Sequence, residues 1–147
     1  MVNLVLVGHS QRLLEALIEL VEQTIGSGPT CLAAGGTEDG RPGTSLARLQ
    51  AALGAALSRT DDACLVLYDT GSAWLTIEFA LDELPSSARA RVAVSDAPLV
   101  EGTLAAAARA AERAALDEVR EAAEAAIVAD KRPAQPGGGR PDVRLPA

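Results

Sequence analysis

A chain of 147 residues with 48% hydrophobic content is long enough to close one core and too short for two domains. Aromatic residues make up only 2% and the formal charge is -7, so neither the basic face and stacking platforms of a nucleic-acid binder nor the basic surface of an anionic-membrane binder is expected. No stretch approaches the roughly 18 consecutive apolar residues of a membrane span, and the N-terminus lacks the basic start and cleavage site of a secretory signal, so a cytoplasmic protein is expected.

Taken in chain order, "VNLVLV" (2–7) is a continuous Val/Leu run, the pattern of a strand covered on both faces. The period then changes: Leu13, Leu14, Leu17, Ile18, Val21 and Ile25 recur at helical spacing, with Ser10 as N-cap and Gly26 and Gly28 as the stop. "TCLAA" (30–34) reads as a second strand, "GGTEDGRPGT" as a loop, "SLARLQAALGAALS" (45–58) as a helix and "ACLVLY" (63–68) as a third strand. Asp69 to Ser72 form a turn, "AWLTIEFALDEL" (73–84) a helix stopped before Pro85, and "RVAVS" (91–95) a fourth strand. The Ala-rich stretch 98–130 reads as helix in two pieces, with Pro98 at a first helical position. Residues 1–131 make the domain, and 132–147 have the Pro and Gly content of a flexible tail. Cys31 and Cys64 sit in apolar strands as buried reduced thiols, and with one His and two separated Cys no metal cluster is expected.

Strands alternating with helices predict a doubly wound α/β domain, a mostly parallel four-stranded sheet with helices on both faces and a helical C-terminus; among doubly wound orders, 2-1-3-4 is the one expected here. In that order the first and third strands are neighbours, chain direction reverses between them, and ligands sit in the crevice at their carboxyl ends. The residues following those strands are Gly8, His9 and Ser10, and Asp69, Thr70, Gly71 and Ser72. The single histidine therefore faces an aspartate across the switch point.

A carboxylate on one imidazole N–H fixes the tautomer and leaves the other nitrogen free to attack, so His9 is the candidate nucleophile and Asp69 its orienting group. The helix starts near Ser10 and Ser72, the glycines at 8 and 71, and the charge of Arg12 suit a phosphoryl group. No G-K-[ST] loop and no G-x-G-x-x-G follows the first strand, signatures that a protein receiving its phosphate from another protein does not need. Position alone also allows a duller assignment in which His9 is a solvated loop residue, Asp69 a turn residue, and Ser10 and Ser72 ordinary caps.

"MVNLVLVGHSQRL", "AAGGTEDGRPGTS", "DTGSAWLTIEFAL" and "APLVEGTLAA" together resemble the mannose-type IIA family of the bacterial phosphotransferase system, in its DhaM branch serving dihydroxyacetone kinase. The likeness runs in register over residues 1 to 130. It implies a phosphorelay: the residue matching His9 takes a phosphoryl group from phospho-HPr, itself charged from phosphoenolpyruvate through enzyme I. The group then passes to ADP on DhaL, and the ATP phosphorylates dihydroxyacetone on DhaK. The resemblance assigns the steadying carboxylate to Asp69 and pocket roles to Gly71, Ser72 and Thr44, with no cofactor or metal on this chain. It also implies a homodimer. Gly8 stands where the family often has Ser, and no additional carboxyl-terminal strand of the kind that builds the dimer in mannose-transporter relatives is read after Ser95. Some DhaM-type chains continue into HPr-like and enzyme I-like domains, so a separate HPr is expected as donor here. The Ala-rich helix "LVEGTLAAAARAA" suits either a partner or burial in its own monomer.

Three other readings remain at this point. A sugar-transport domain of the same type would donate to a IIB protein. A receiver-like domain would be phosphorylated on the aspartate after strand three, but it needs an acidic pair after the first strand and a nearby lysine, and the only lysine here is Lys131. A non-catalytic module would bind a small anion, with His9 as a hydrogen-bond donor.

Overall fold

The opening Val/Leu run is a strand because it has neighbours on both sides and a helical layer on both faces. The structure, a computed structural model, describes residues 1–128 and 131. β1 (Val2–Gly8) is buried along its whole length, between β2 (Cys31–Gly35) and β3 (Ala63–Tyr68), and β4 (Val92–Ser95) lies outside β3. All pairings are parallel and the order is β2-β1-β3-β4. This is the expected doubly wound α/β arrangement.

Alternation along the strands divides the interior in two. Val5, Val7, Cys64 and Val66 point to one face, where α2 (Leu46–Ala56) and α3 (Trp74–Asp82) supply Leu49, Leu53, Ile77 and Ala80. Leu4, Leu6, Leu65 and Leu67 point to the other, where they meet Leu14, Leu17 and Val21 of α1 (Gln11–Ile25). The same face is closed by α5 (Leu99–Ala111) and α6 (Leu116–Ala125), which contribute Ala106, Ala110, Val119 and Ala123. Alanine lets these helices lie close: a Cβ on Gly102 would stand 2.7 Å from Ala97 Cβ and 3.4 Å from the Ala123 carbonyl oxygen. The small-residue face of α5 is thus consumed inside the monomer.

Caps set several boundaries. The Ser10 hydroxyl accepts from Leu13 N–H at 3.3 Å to start α1, and the Ser45 hydroxyl accepts from Arg48 N–H at 3.2 Å to start α2. The Ala-rich stretch breaks between α5 and α6 near Arg113, whose φ of 64° ends the helical run.

Some boundaries differ from the sequence reading. A short helix, α4 (Ser86–Arg89), follows Pro85 where no element was expected, its turn closed by Ala88 and Arg89 amides on the Pro85 carbonyl. Pro98 precedes α5 instead of opening it: its ψ of 126° is extended, and its carbonyl receives the Gly102 amide at 2.7 Å. The helix after β3 begins as a 3-10 turn, Gly71–Ala73, before α3 proper. Cys64 is buried and Cys31 only partly so; both are free thiols. Burial pushes each up to about 12, aided at Cys31 by the nearby Glu22 charge. The expected tail, 132–147, lies outside the described residues.

One polar side chain is built into β1. Asn3 is buried, donates to the Ala56 carbonyl at 2.8 Å and accepts the Thr30 amide at 3.1 Å, tying the end of α2 and the entry to β2 to the central strand. Asn3→Ala leaves both backbone groups unpaired and is expected to cost about 1–3 kcal/mol in urea unfolding. An unchanged midpoint would contradict this accounting.

Candidate functional site

The last paired residues of β1 and β3 are Val7 and Tyr68, and the Asp69 amide extends the ladder to the Val7 carbonyl at 3.1 Å. His9 and Asp69 therefore emerge together at the carboxyl end of the sheet, 60 residues apart in sequence. Asp69 Oδ2 accepts the His9 main-chain N–H at 2.9 Å, and imidazole Nδ1 lies 3.0 Å from Oδ1 and 3.1 Å from Oδ2. Oδ1 also accepts the Thr70 amide at 2.7 Å.

Partial burial of Asp69 opposes its ionisation. The His9 amide, the His9 ring, the Thr70 amide and the imidazole charge outweigh that, and the carboxyl is held below its ordinary value. An ionised carboxylate only accepts, so Nδ1 carries the proton in the neutral ring and Nε2 presents its lone pair. The Ser72 hydroxyl stands 2.9 Å from Nε2 and donates to it. Thr70 Oγ1 completes the hydroxyl lining, 3.5 Å from Nδ1 and 3.3 Å from Ser72 Oγ. The His9 side chain keeps 33% of its surface exposed and Asp69 16%, an imidazole open to a visitor above a carboxylate that is mostly covered.

The main chain of His9 is held as firmly as its ring. The Gly36 amide donates to the Gly8 carbonyl and the Gly43 amide to the His9 carbonyl, each at 3.1 Å. The loop between them is braced by Thr37 N–H on the Arg41 carbonyl at 2.9 Å, by Thr37 Oγ1 on Asp39, and by an Asp39–Arg41 ion pair. Gly43, with φ of 148°, has no room for a side chain: its Cβ would lie 2.7 Å from Thr37 Cγ2. Gly8 has a different constraint, since a Cβ there would press on Asp69 Oδ2 at 3.0 Å and on Leu14 at 3.3 Å.

Of the residues singled out from sequence, His9, Asp69, Ser72 and Gly8 converge. Gly71 sits in open space in the turn between Asp69 and Ser72. Ser10 has its hydroxyl engaged at the start of α1, and Arg12 is exposed in the first turn of that helix. Thr44 Oγ1 pairs with Thr76 Oγ1 at 2.7 Å. Thr70 and Gly43 fall in the turn and loop expected beside the site without having been given a role of their own, and Gly36 and Thr76 were not anticipated. The Gly-rich and Pro-Gly loop hinted at the two amide donors, and nothing in the sequence signalled Thr76.

The EIIA-man family, described as the PTS system fructose IIA component, matches residues 3–123, and the chain belongs to that family. Within it, the chain is 37% identical over 107 residues to the phosphoryl donor subunit DhaM of PEP-dependent dihydroxyacetone kinase 2 from Listeria innocua, covering 73% of this chain and 84% of that one. It is 42% identical over 123 residues to the corresponding DhaM subunit of Escherichia coli, and 41% over 134 residues to that of Klebsiella michiganensis. Those matches take in 81% and 89% of this chain but only 25% and 28% of the relatives, so the chain spans about a quarter of their length. A crystal structure of an unknown function protein, EF1359, superposes with a TM-score of 0.77 at 30% identity, covering 84% of this chain and 93% of that one. Among the described residues no helix is long and apolar enough to cross a membrane.

The lowered pKa of Asp69 has a sign that can be measured. Asp69→Asn is expected to lower unfolding free energy at neutral pH by about 1–2 kcal/mol, the worth of charge-assisted hydrogen bonds. The deficit is full above the ordinary carboxylate pKa of about 3.9 and fades as pH falls through the lower value Asp69 has in the folded protein. Urea titrations of both proteins across that range should converge at the acid end; a constant gap would contradict the assignment.

Proposed function

We propose that the chain is a phosphohistidine carrier, a cytoplasmic phosphotransferase subunit in which Nε2 of His9 accepts a phosphoryl group from phospho-HPr and passes it to ADP on DhaL, for phosphorylation of dihydroxyacetone on DhaK. The observation that carries this reading is the imidazole held by Asp69 at Nδ1, with Nε2 beside the Ser72 hydroxyl and a third of the side chain exposed. In the first step the Nε2 lone pair forms an N–P bond as the donor's N–P bond breaks; in the second, a β-phosphate oxygen of ADP attacks phosphorus and His9 returns to its starting tautomer. Asp69 keeps the proton on Nδ1 and stabilises the positive ring while it is phosphorylated. Transfer of this kind asks for positioning and charge stabilisation and needs little else from the protein.

Around the arriving phosphate, the first helical turn after Thr70 leaves the amides of Gly71 and Ser72 without intrahelical partners. The hydroxyls of Ser72 and Thr70 add donors, Ser10 and Arg12 lie at the start of the neighbouring α1, and Gly8 admits the carboxylate close to the strand end. The names of the DhaM relatives favour dihydroxyacetone kinase as the destination over a sugar-specific IIB protein, which the family's description as a fructose IIA component also suggests as an acceptor. A homodimer is supported by Trp74, Leu75 and Phe79, which are 39%, 62% and 64% exposed beside an open groove along the outer edge of β4.

With phosphoenolpyruvate, enzyme I and HPr, intact mass should show one phosphoryl group on the wild type and none on His9→Ala. The adduct should survive base and be lost in acid, the opposite of an acyl phosphate on Asp69. Adding DhaL with ADP should discharge it and yield ATP, whereas discharge only to a IIB protein would assign the sugar-transport role. Asp69→Asn should slow phosphorylation by about two orders of magnitude or more through the wrong tautomer. Normal relay by His9→Ala would sink the proposal.

A further inference from the structure

We propose that the Thr44–Thr76 hydroxyl pair is a positioning device that sets Nε2 of His9 for phosphoryl transfer. This rests on the carrier reading of His9 and extends it to two residues that do not hydrogen-bond the imidazole, whose partners are Asp69, Thr70 and Ser72. Two separate segments hold His9. The loop ending at Thr44 holds its main chain, through the Gly43 amide on the His9 carbonyl at 3.1 Å. The segment leading into α3 holds its ring, through Ser72 Oγ on Nε2 at 2.9 Å. Thr44 directly follows Gly43, and Thr76 lies about one helical turn beyond Ser72.

The 2.7 Å bond between Thr44 Oγ1 and Thr76 Oγ1 is a direct side-chain tie between those two segments. It sets the distance between the support of the His9 peptide and the support of its imidazole. The loop is braced beside this bond: it passes so near Thr37 that a Cβ on Gly43 would lie 2.7 Å from Thr37 Cγ2, and the Thr37 amide is closed on the Arg41 carbonyl. Each threonine is half-buried, so the bond is partly shielded from competing water. Attack on phosphorus needs the lone pair aligned within a fraction of an ångström, and misplacement of about 1 Å costs on the order of 100-fold. Thr44 acts in this account through His9 and Ser72, and is a positioning residue.

The test compares Thr44→Val, Thr44→Ser, Thr76→Val and the double valine variant in single-turnover phosphorylation by phospho-HPr, alongside nitrogen NMR of the imidazole in the unphosphorylated protein. Valine keeps the shape of threonine without the hydroxyl, and circular dichroism verifies the fold. Thr44→Val and Thr76→Val should each slow transfer at saturating donor by about tenfold, a fraction of the full misplacement cost, without raising the donor KM. The double variant should be no slower than the worse single one, because both remove the same bond. Thr44→Ser should restore the rate, and the Nε2 resonance should move in the valine variants only. Wild-type rates in Thr44→Val, a serine variant as slow as valine, additive losses, or a change confined to KM would each overturn the proposal. The NMR reading keeps the two ideas separable: an unmoved Nε2 resonance defeats positioning whatever His9 does, and a wild type that takes no phosphate on His9 defeats the carrier reading alone.

Discussion

Parallel pairing of β1 with β3 is the constraint on which the site depends. Its register, Val7 opposite Tyr68, makes His9 and Asp69 neighbours although 60 residues separate them. A slip of one residue would invert the faces of the strand, sending Leu4 and Leu6 into the layer that now holds Val5 and Val7. Burial on both faces therefore enforces the register that aligns imidazole with carboxylate, and the apolar interior and the polar site are two results of one alignment.

The scaffold achieves this with very few large side chains. Aromatics are 2% of the sequence, and the helices on one face meet the sheet mainly through alanine, leucine and valine. Small side chains bring backbones together, which suits a site made largely from main-chain donors: the amides of His9, Thr70, Gly36 and Gly43 all take part. The side chains that bear on chemistry are few, and each is held from more than one direction.

Much of this was readable in the residues. The Val/Leu runs and helical spacings locate four strands and the main helices, since burial on two faces and on one face leave different periodicities. Alternation of the elements predicts a doubly wound parallel sheet, and among the orders open to such a sheet 2-1-3-4 is the one that places His9 beside Asp69. What stayed hidden depends on tertiary closure. Thr76 looks like any polar residue on a helix, and only the fold of the 36–45 loop brings Thr44 to it. Thr70 was absorbed into a turn, although its amide and hydroxyl both face the site. The turn after Pro85 carries no periodicity because it is too short to show one, and the position of Pro98 depends on a ψ value that its identity leaves open.

The Asp69 carboxylate takes two of its hydrogen bonds from peptide groups, those of residues 9 and 70, and only the remainder from a ring. Those peptide N–H groups survive any exchange of side chain except to proline. Were evolution to replace the histidine, the acid would still have donors, its charge would not be stranded, and the strand ends would keep their shape. Reactivity and architecture are thus decoupled at the one point where they touch, so a descendant that lost the reaction would inherit an intact anionic cradle.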